Sequence, residues 1–461
     1  MGIKCTVLCL LILFCSLKIV IGQESKKLVL NLKACEELAF KNNPKIKDAQ
    51  LSLKISEAKQ IQASHAKILP KFQIRNVWGP SPRAEGELDP TGGYVISEDV
   101  TTTIPEDLRY FTQVDLDLIQ PIYTFGKLSS LATAAEFGVE AGQAGLEKSE
   151  ENVRLEVRKL YWALVLGKEL LAVIGDTKKE MTKAESKIEE LLDEGAEEVS
   201  QKDLFKLQIA QYEVNKRNRE TIDKIELTKS VLRITLGLSE NTDYDIETEY
   251  LDPLETNLDS LLIYTATAIQ NRPELAQLRA GIGARRALIG VSKSDYYPQF
   301  FLAGQIKYNF AKDRFDPKGQ FIYNPTNFFR PGIVVGFSWN LNFVQTRDKL
   351  RLAQAEYTKL SQNEELLVSG IKLEVKKAYL EVTQAGTNLR GSRKALRASD
   401  NWLRSESMAW DIGVGEVKEL IDAFKASGTM QAAHLENIFK YNVALAELSK
   451  ATGHDFYENQ R

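Results

Sequence analysis

The spacing of apolar residues along this chain changes from helical to alternating and back, and the same succession then recurs. Leu32, Leu38, Ile46, Leu51, Ile55 and Ile61 fall at roughly helical intervals, which predicts a helix over 31–68 broken early at Asn43-Pro44. From Lys71 the period drops to two. Phe72 and Ile74 alternate with Gln73 and Arg75 and Trp78 closes the run, while Val114, Leu116 and Leu118 alternate with Asp115 and Asp117. Two strands follow from this, about 71–78 and 110–122, with one apolar and one polar face. Residues 127–194 then contain no proline and no stop before Gly195, predicting one helix of ~100 Å at 1.5 Å per residue. In it Val153, Val157, Leu160, Leu164, Gly167, Leu171, Ile174, Met181, Ala184, Ile188 and Leu191 keep a heptad-like seam. Its start is rich in small residues, among them Ala134, Ala135, Gly138, Gly142 and Gly145, which permit close helix approach. A return helix over about 200–236 completes the unit.

The second half repeats these landmarks in order. Asn42-Asn43-Pro44 is answered by Asn271-Arg272-Pro273, and Gln120-Pro121-Ile122-Tyr123-Thr124-Phe125-Gly126-Lys127 by Asn340-Leu341-Asn342-Phe343-Val344-Gln345-Thr346-Arg347. Phe300, Leu302, Gly304, Ile306, Tyr308 and Phe310 alternate with Phe301, Ala303, Gln305, Lys307 and Asn309. Val335, Phe337, Trp339, Leu341 and Phe343 alternate with Gly336, Ser338, Asn340 and Asn342, so strands are expected at about 299–310 and 332–343. A second long helix runs from about Arg347 to Ile412, with Ile371, Val375, Ala378, Val382, Ala385, Leu389, Leu396 and Trp402 in its seam. A return helix spans about 417–451. The organisation expected is repeat 1 over 23–238, a linker over 239–259, repeat 2 over 260–453 and a tail over 454–461.

Residues 1–22 have the form of a signal peptide. Lys4 is the positive start, Cys5 to Leu17 the apolar core, and Val20-Ile21-Gly22 the small-residue cleavage site. Lipid attachment at Cys15 is disfavoured by Phe14 at a position that calls for a small residue. With the leader removed only Cys35 remains, which leaves no internal disulfide and no cysteine metal cluster. No later segment approaches the ~20 apolar residues of a spanning helix. Strands of about ten residues with aromatics near their ends fit a membrane barrel, though the same alternation fits a soluble sheet packed on its apolar face. The formal charge of −3 gives no nucleic-acid footprint.

Catalytic signals are missing, and neither an enzyme nor a cofactor is expected. His65, His434 and His454 have no metal-ligand spacing, and Gly281-Ile-Gly283 follows no strand. The acids between Glu85 and Asp107 match no calcium loop and read as solvated charge. The two helical-hairpin turns carry more. Gly195 turns the first and Gly413-Val414-Gly415 the second. Asp203 and Glu198 lie beyond the first turn, and Glu419 and Asp422, three apart on one helix face, beyond the second. Near a symmetry axis such acids become a ring that selects cations or gates; on a monomer they are surface charge.

Together the leader, the duplicated unit and the 120–127 segment resemble the TolC family of outer-membrane efflux proteins. Gln120, Pro121, Gly126 and Lys127 match that family's strand-to-helix junction. The second copy departs from it at Leu341 and Thr346. The resemblance implies a mainly α protein with a membrane β-barrel portion: a homotrimer in which each chain gives four strands to a shared twelve-stranded β-barrel in outer-membrane lipid and helices to a trimeric α-barrel tunnel across the periplasm. It implies a passive exit duct of a tripartite efflux or type I secretion system, served by an inner-membrane pump and a periplasmic adaptor (membrane fusion protein). It also places a periplasmic aperture at Glu419 and Asp422, to which Asp203 of the first tip is added as a candidate, and adaptor docking is expected at the tips Gly195, Gly413, Val414 and Gly415. Glu419 stands where the family has aspartate, and the family's arginine in that turn has no counterpart. The alternatives are a periplasmic coiled-coil adaptor or a scaffold protein, neither of which calls for lipid-facing strands.

Overall fold

The computed structural model describes residues 27–82, 86–88, 94–96, 108–195, 199–314, 316, 321 and 323–457. The leader over 1–22, the acids Glu85, Asp89, Glu98, Asp99, Glu106 and Asp107, Glu198 and the last residues of the tail lie outside the described residues. In chain order the elements are β1 (Leu28–Leu30), α1 (Leu32–Asn42), α2 (Pro44–Ile68), β2 (Lys71–Pro82), β3 (Gly86–Leu88), β4 (Tyr94–Ile96), β5 (Leu108–Tyr123), α3 (Lys127–Asp193) and α4 (Gln201–Thr235). They continue with β6 (Tyr244–Ile246), α5 (Leu261–Asn271), α6 (Pro273–Ser294), β7 (Gln299–Ala311), β8 (Phe328–Ser338), α7 (Phe343–Asp411) and α8 (Val417–Thr452). The molecule is mainly helical, and no helix among the described residues is long and apolar enough to cross a membrane. The chain divides into two compact units.

One unit comprises 48–148 and 271–371 and is built on an antiparallel sheet of order β2-β5-β7-β8. The register sorts side chains onto two faces. Phe72 faces Leu118, Leu118 faces Gly304 and Gly304 faces Ile333, while Ile74, Leu116, Ile306 and Pro331 form the neighbouring row. The face that holds these residues carries no charged side chain along the four strands. Phe72, Ile74, Trp78, Ile333 and Phe337 on it are all largely exposed, with Trp78 80% and Ile333 79% accessible. The opposite face carries Lys71, Arg75, Asp115, Asp117, Lys307 and Arg330. Both outer strands, β2 and β8, contain proline, which is tolerated where one ladder of hydrogen bonds is missing.

β8 ends at Ser338, short of the alternation that runs on to Phe343. Asn340 is the cause. Its side-chain oxygen accepts from Asn342 N–H at 3.0 Å, and the Asn342 carbonyl then accepts from Thr346 N–H at 3.1 Å, so the chain turns into α7 instead of continuing extended. Behind the sheet the helices approach closely through glycine. A Cβ at Gly283 would sit 2.7 Å from the Phe137 ring, so Gly283 serves α6–α3 packing, while one at Gly281 would lie 3.4 Å from Leu360 of α7. Arg279–Glu364 and Arg285–Glu356 pairs, at 2.8 and 2.6 Å, link α6 to α7 from the surface.

The other unit holds the residues up to Lys47, Ser149–Gln270 and those from Lys372 on. Parallel pairing of β1 with β6 joins its first segment to its middle one. The chain breaks between α1 and α2 at Asn43, whose buried amide donates to the Thr235 carbonyl at 2.8 Å. The stretch between repeats is packed, not loose. Leu251 and Leu254 are buried, and Asn442 of α8 accepts from Leu254 N–H and donates to the Asp252 carbonyl. In α3 the buried positions include Val153, Val157, Leu164, Met181 and Ile188, joined by Tyr161, Trp162 and Val165 outside the heptad reading. In α7 Val375, Ala378, Val382 and Leu389 are buried but Trp402 is exposed, its indole donating to Glu406 on its own helix. Cys35 is a free buried thiol, pushed up to about 12 by desolvation.

Candidate functional site

The two hairpin turns end on one hydrophobic cluster. Met181 and Ile188 from α3, Leu204, Leu207 and Ala210 from α4, Trp410 from α7, and Val417, Leu420, Ile421 and Phe424 from α8 are buried together. Each polar residue singled out at the tips is placed by a neighbour in this cluster. Asp203 precedes Leu204, and Glu419 and Asp422 bracket Leu420 and Ile421, so all three sit half-buried at the rim of the same core.

At the first tip α3 runs out at Asp193 and Gly195 takes a left-handed φ of 74°, its N–H reaching the Leu192 carbonyl at 3.2 Å. Asp203, in the first turn of α4, reaches back to Ser200. It accepts from the Ser200 N–H at 3.2 Å and from the Ser200 hydroxyl at 2.6 Å, and it also accepts from Lys206 at 3.0 Å. These bonds, the serine hydroxyl first, hold its carboxyl below the usual aspartate range against the opposing effect of burial.

The second tip is closed by backbone. Gly413, at φ 78°, donates to the Trp410 carbonyl, and Val414 and Gly415 both donate to the Ala409 carbonyl, at 3.0, 3.0 and 3.1 Å. A Cβ at Gly415 would lie 2.6 Å from the Trp410 backbone nitrogen, so only glycine lets the return chain pass. Glu416 caps α8 without a side-chain hydrogen bond. Glu419 and Asp422 make no ion pair among the described residues. Ile412 and Val414 stand out at the turn, 75% and 74% exposed.

At the strand-to-helix junction Gln120 donates from its amide to the Pro121 carbonyl, and the β5–β7 register slips between Pro121 and Tyr123. Phe125 and Gly126 both have positive φ, at 48° and 85°. The strained Phe125 is compensated by stacking on Tyr297, with centroids 4.8 Å apart, and by an edge contact with Tyr123. Lys127 pairs with Asp295 at 2.8 Å and ties the start of α3 to the end of α6.

Sequence reasoning passed over Arg158. Its guanidinium, nearly inaccessible within α3, donates to Glu36 at 2.7 Å and Asp455 at 2.8 Å and stacks on Tyr457. A charged residue directly beside the apolar Val157 was the available signal. Among the described residues no group of three His, Cys, Asp or Glu side chains gathers as a metal site.

Long helical hairpins sharing one tip core, joined in sequence to a four-stranded sheet with a charge-free exposed face, define the fold of outer-membrane channels. The family model described as Outer membrane efflux protein matches residues 265–454. No curated protein matches the chain. Among solved structures it is similar to the outer-membrane channel OprN (16% identity, TM-score 0.73, covering 92% of this chain and 90% of that one). The Campylobacter jejuni CmeC outer membrane channel gives 17% identity and TM-score 0.71, over 93% and 88% of the two chains. The outer membrane protein VceC of Vibrio cholerae gives 15% and 0.71, over 92% and 96%. At such identities the likeness concerns the fold.

Proposed function

We propose that this chain is a passive outer-membrane exit duct. Three copies would close a twelve-stranded barrel and enclose a tunnel of helices, with an inner-membrane pump supplying energy and a periplasmic adaptor docking at the tips. The observation that carries the reading is the sheet. One face is apolar, free of charge and exposed, and both edge strands lack partners among the described residues, while an open edge is not tolerated in lipid. Copies of the same sheet joined edge to edge satisfy both conditions. Exposed leucines and isoleucines on the helices, such as Leu366, Leu373, Leu380, Ile209 and Ile234, supply contact surface for neighbouring copies. A periplasmic adaptor or scaffold gives such a sheet no role, and a duct requires no catalytic step.

Glu419 and Asp422 are the candidate aperture, since their carboxylates have no counter-ion among the described residues and threefold repetition would make them a ring. Gly195, Gly413, Val414 and Gly415, with exposed Ile412, form the docking end. The test is the mass of protein extracted from the outer-membrane fraction, followed by conductance in planar bilayers. A trimer whose cation block weakens in Glu419→Ala/Asp422→Ala is expected. A monomer, or recovery without detergent, removes the barrel; unchanged block and selectivity removes the gate.

A further inference from the structure

The polar face of the sheet holds an ordered row of charge that the duct reading does not use. Arg75 lies opposite Asp115, Asp115 opposite Lys307, and Lys307 opposite Arg330, one residue from each strand. Asp115 makes no ion pair with its neighbours among the described residues. It is buried, its Oδ2 accepts from Gln113 at 2.9 Å, and its Oδ1 has no partner. Neither Arg75 nor Lys307 makes an ion pair among the described residues. Among the described residues Arg330 is fixed in place by neutral groups. Its guanidinium donates to the Tyr323 hydroxyl at 2.9 Å and the Asn324 carbonyl at 2.5 Å, and lies over the Phe328 and Tyr323 rings at 3.9 and 4.2 Å. One row further along, Asp117 is occupied by the Gln305 amide at 2.8 Å. Arg109, near the strand end, is paired with Asp313. This face therefore sets four cations, Lys71, Arg75, Lys307 and Arg330, against the two carboxylates of Asp115 and Asp117.

We propose that this row is an anion-selective band inside the pore, recognising multivalent oxyanions in transit through the barrel. The proposal rests on the duct reading, which turns the charge-free face to lipid and this face to the lumen. Closure by three copies triples the cationic excess in a narrow passage with low-dielectric walls, where counter-ions concentrate. Rings of Arg and Lys are the side-chain chemistry that favours anions and phosphates in pores. The preset Arg330 supplies a planar fork suited to phosphate or carboxylate oxygens, and the uncommitted Arg75 and Lys307 supply mobile charge.

The experiment is single-channel recording of the full chain in planar bilayers, with inorganic tripolyphosphate added to each side in turn. Block from one side is expected, and it fades as salt rises from roughly 0.1 to 1 M. Arg75→Gln/Lys307→Gln weakens it roughly tenfold while open conductance persists. Arg75→Lys, which keeps the charge, retains the block, and so does Glu419→Ala/Asp422→Ala. A conducting pore indifferent to tripolyphosphate overturns this proposal alone, as does block that survives Arg75→Gln/Lys307→Gln or is lost equally in Arg75→Lys. Absence of any conducting pore overturns the duct reading and the band with it.

Discussion

The two helical-hairpin tips share a topology and a core but are closed by different chemistry. The first is held by a side-chain cap, Asp203 on Ser200, with Lys206 as counter-ion. The second is held by main chain alone, three N–H groups folding onto the carbonyls of Ala409 and Trp410 with Gly415 wedged against Trp410. A carboxylate spent on capping is partly neutralised and fixed. Closing a turn with backbone leaves the carboxylates of the following helix, Glu419 and Asp422, uncommitted. Duplication thus yields one structural tip and one tip with charge to spare.

The sharpest way to break this comparison is to crowd each turn with a methyl group. Gly415→Ala must displace the Trp410 backbone and is expected to destabilise the second tip by roughly 1–3 kcal/mol. Gly195→Ala meets open space and suffers only from its positive φ, about 1–2 kcal/mol. Hydrogen exchange of the adjacent helix ends reads both, and equal losses would erase the distinction. Next comes the cap. Ser200→Ala is expected to cost about 1 kcal/mol, and Glu416→Ala, where no side-chain bond exists, close to zero in the same assay.

The pH dependence sharpens the contrast further. The folded-state pKa of Asp203 is lowered, so its contribution to stability is complete above the unfolded aspartate value and is lost as pH falls through the lower folded value. Acid titration followed by exchange at the start of α4 is therefore expected to loosen the first tip below the ordinary aspartate range, and Ser200→Ala to blunt that response. The smallest effect expected is on conduction. Asp203→Asn leaves cation block nearly unchanged, whereas Asp422→Asn lowers it; a larger effect from Asp203→Asn would move the aperture to the first tip.

Much of the architecture was legible because period and punctuation agree in it. The alternation of Phe72, Ile74, Leu116 and Leu118, the Asn-x-Pro breaks and the glycine turns all mark elements found in the structure. The failures have physical causes. Alternation carried the last strand to Phe343, but Asn340 and Asn342 turn the chain by local side-chain and main-chain bonds. The heptad reading put Trp402 in the α7 seam, whereas a straight helix drifts from a seven-residue repeat. At about 100° per residue Trp402 lies about 220° round from Ile371, and Leu403 and Trp410 face the core instead. At the tips the sequence marks the acids but not the state of each. Only coordinates separate the capped Asp203 from the unpaired Glu419 and Asp422. Arg158 was hidden because its partners lie far away in sequence.

That distance has a consequence for how the molecule comes into being. Arg158 and Asp455 are separated by 297 residues, and Glu36 lies 122 residues to the other side. A buried guanidinium deprived of one carboxylate is strongly unfavourable, so the helical unit cannot settle while the chain is still emerging. Its final packing waits on nearly the last segment to be made, and long-range closure of this kind is slow. The clasp acts as a completion check: an unfinished or truncated polypeptide stays pliable.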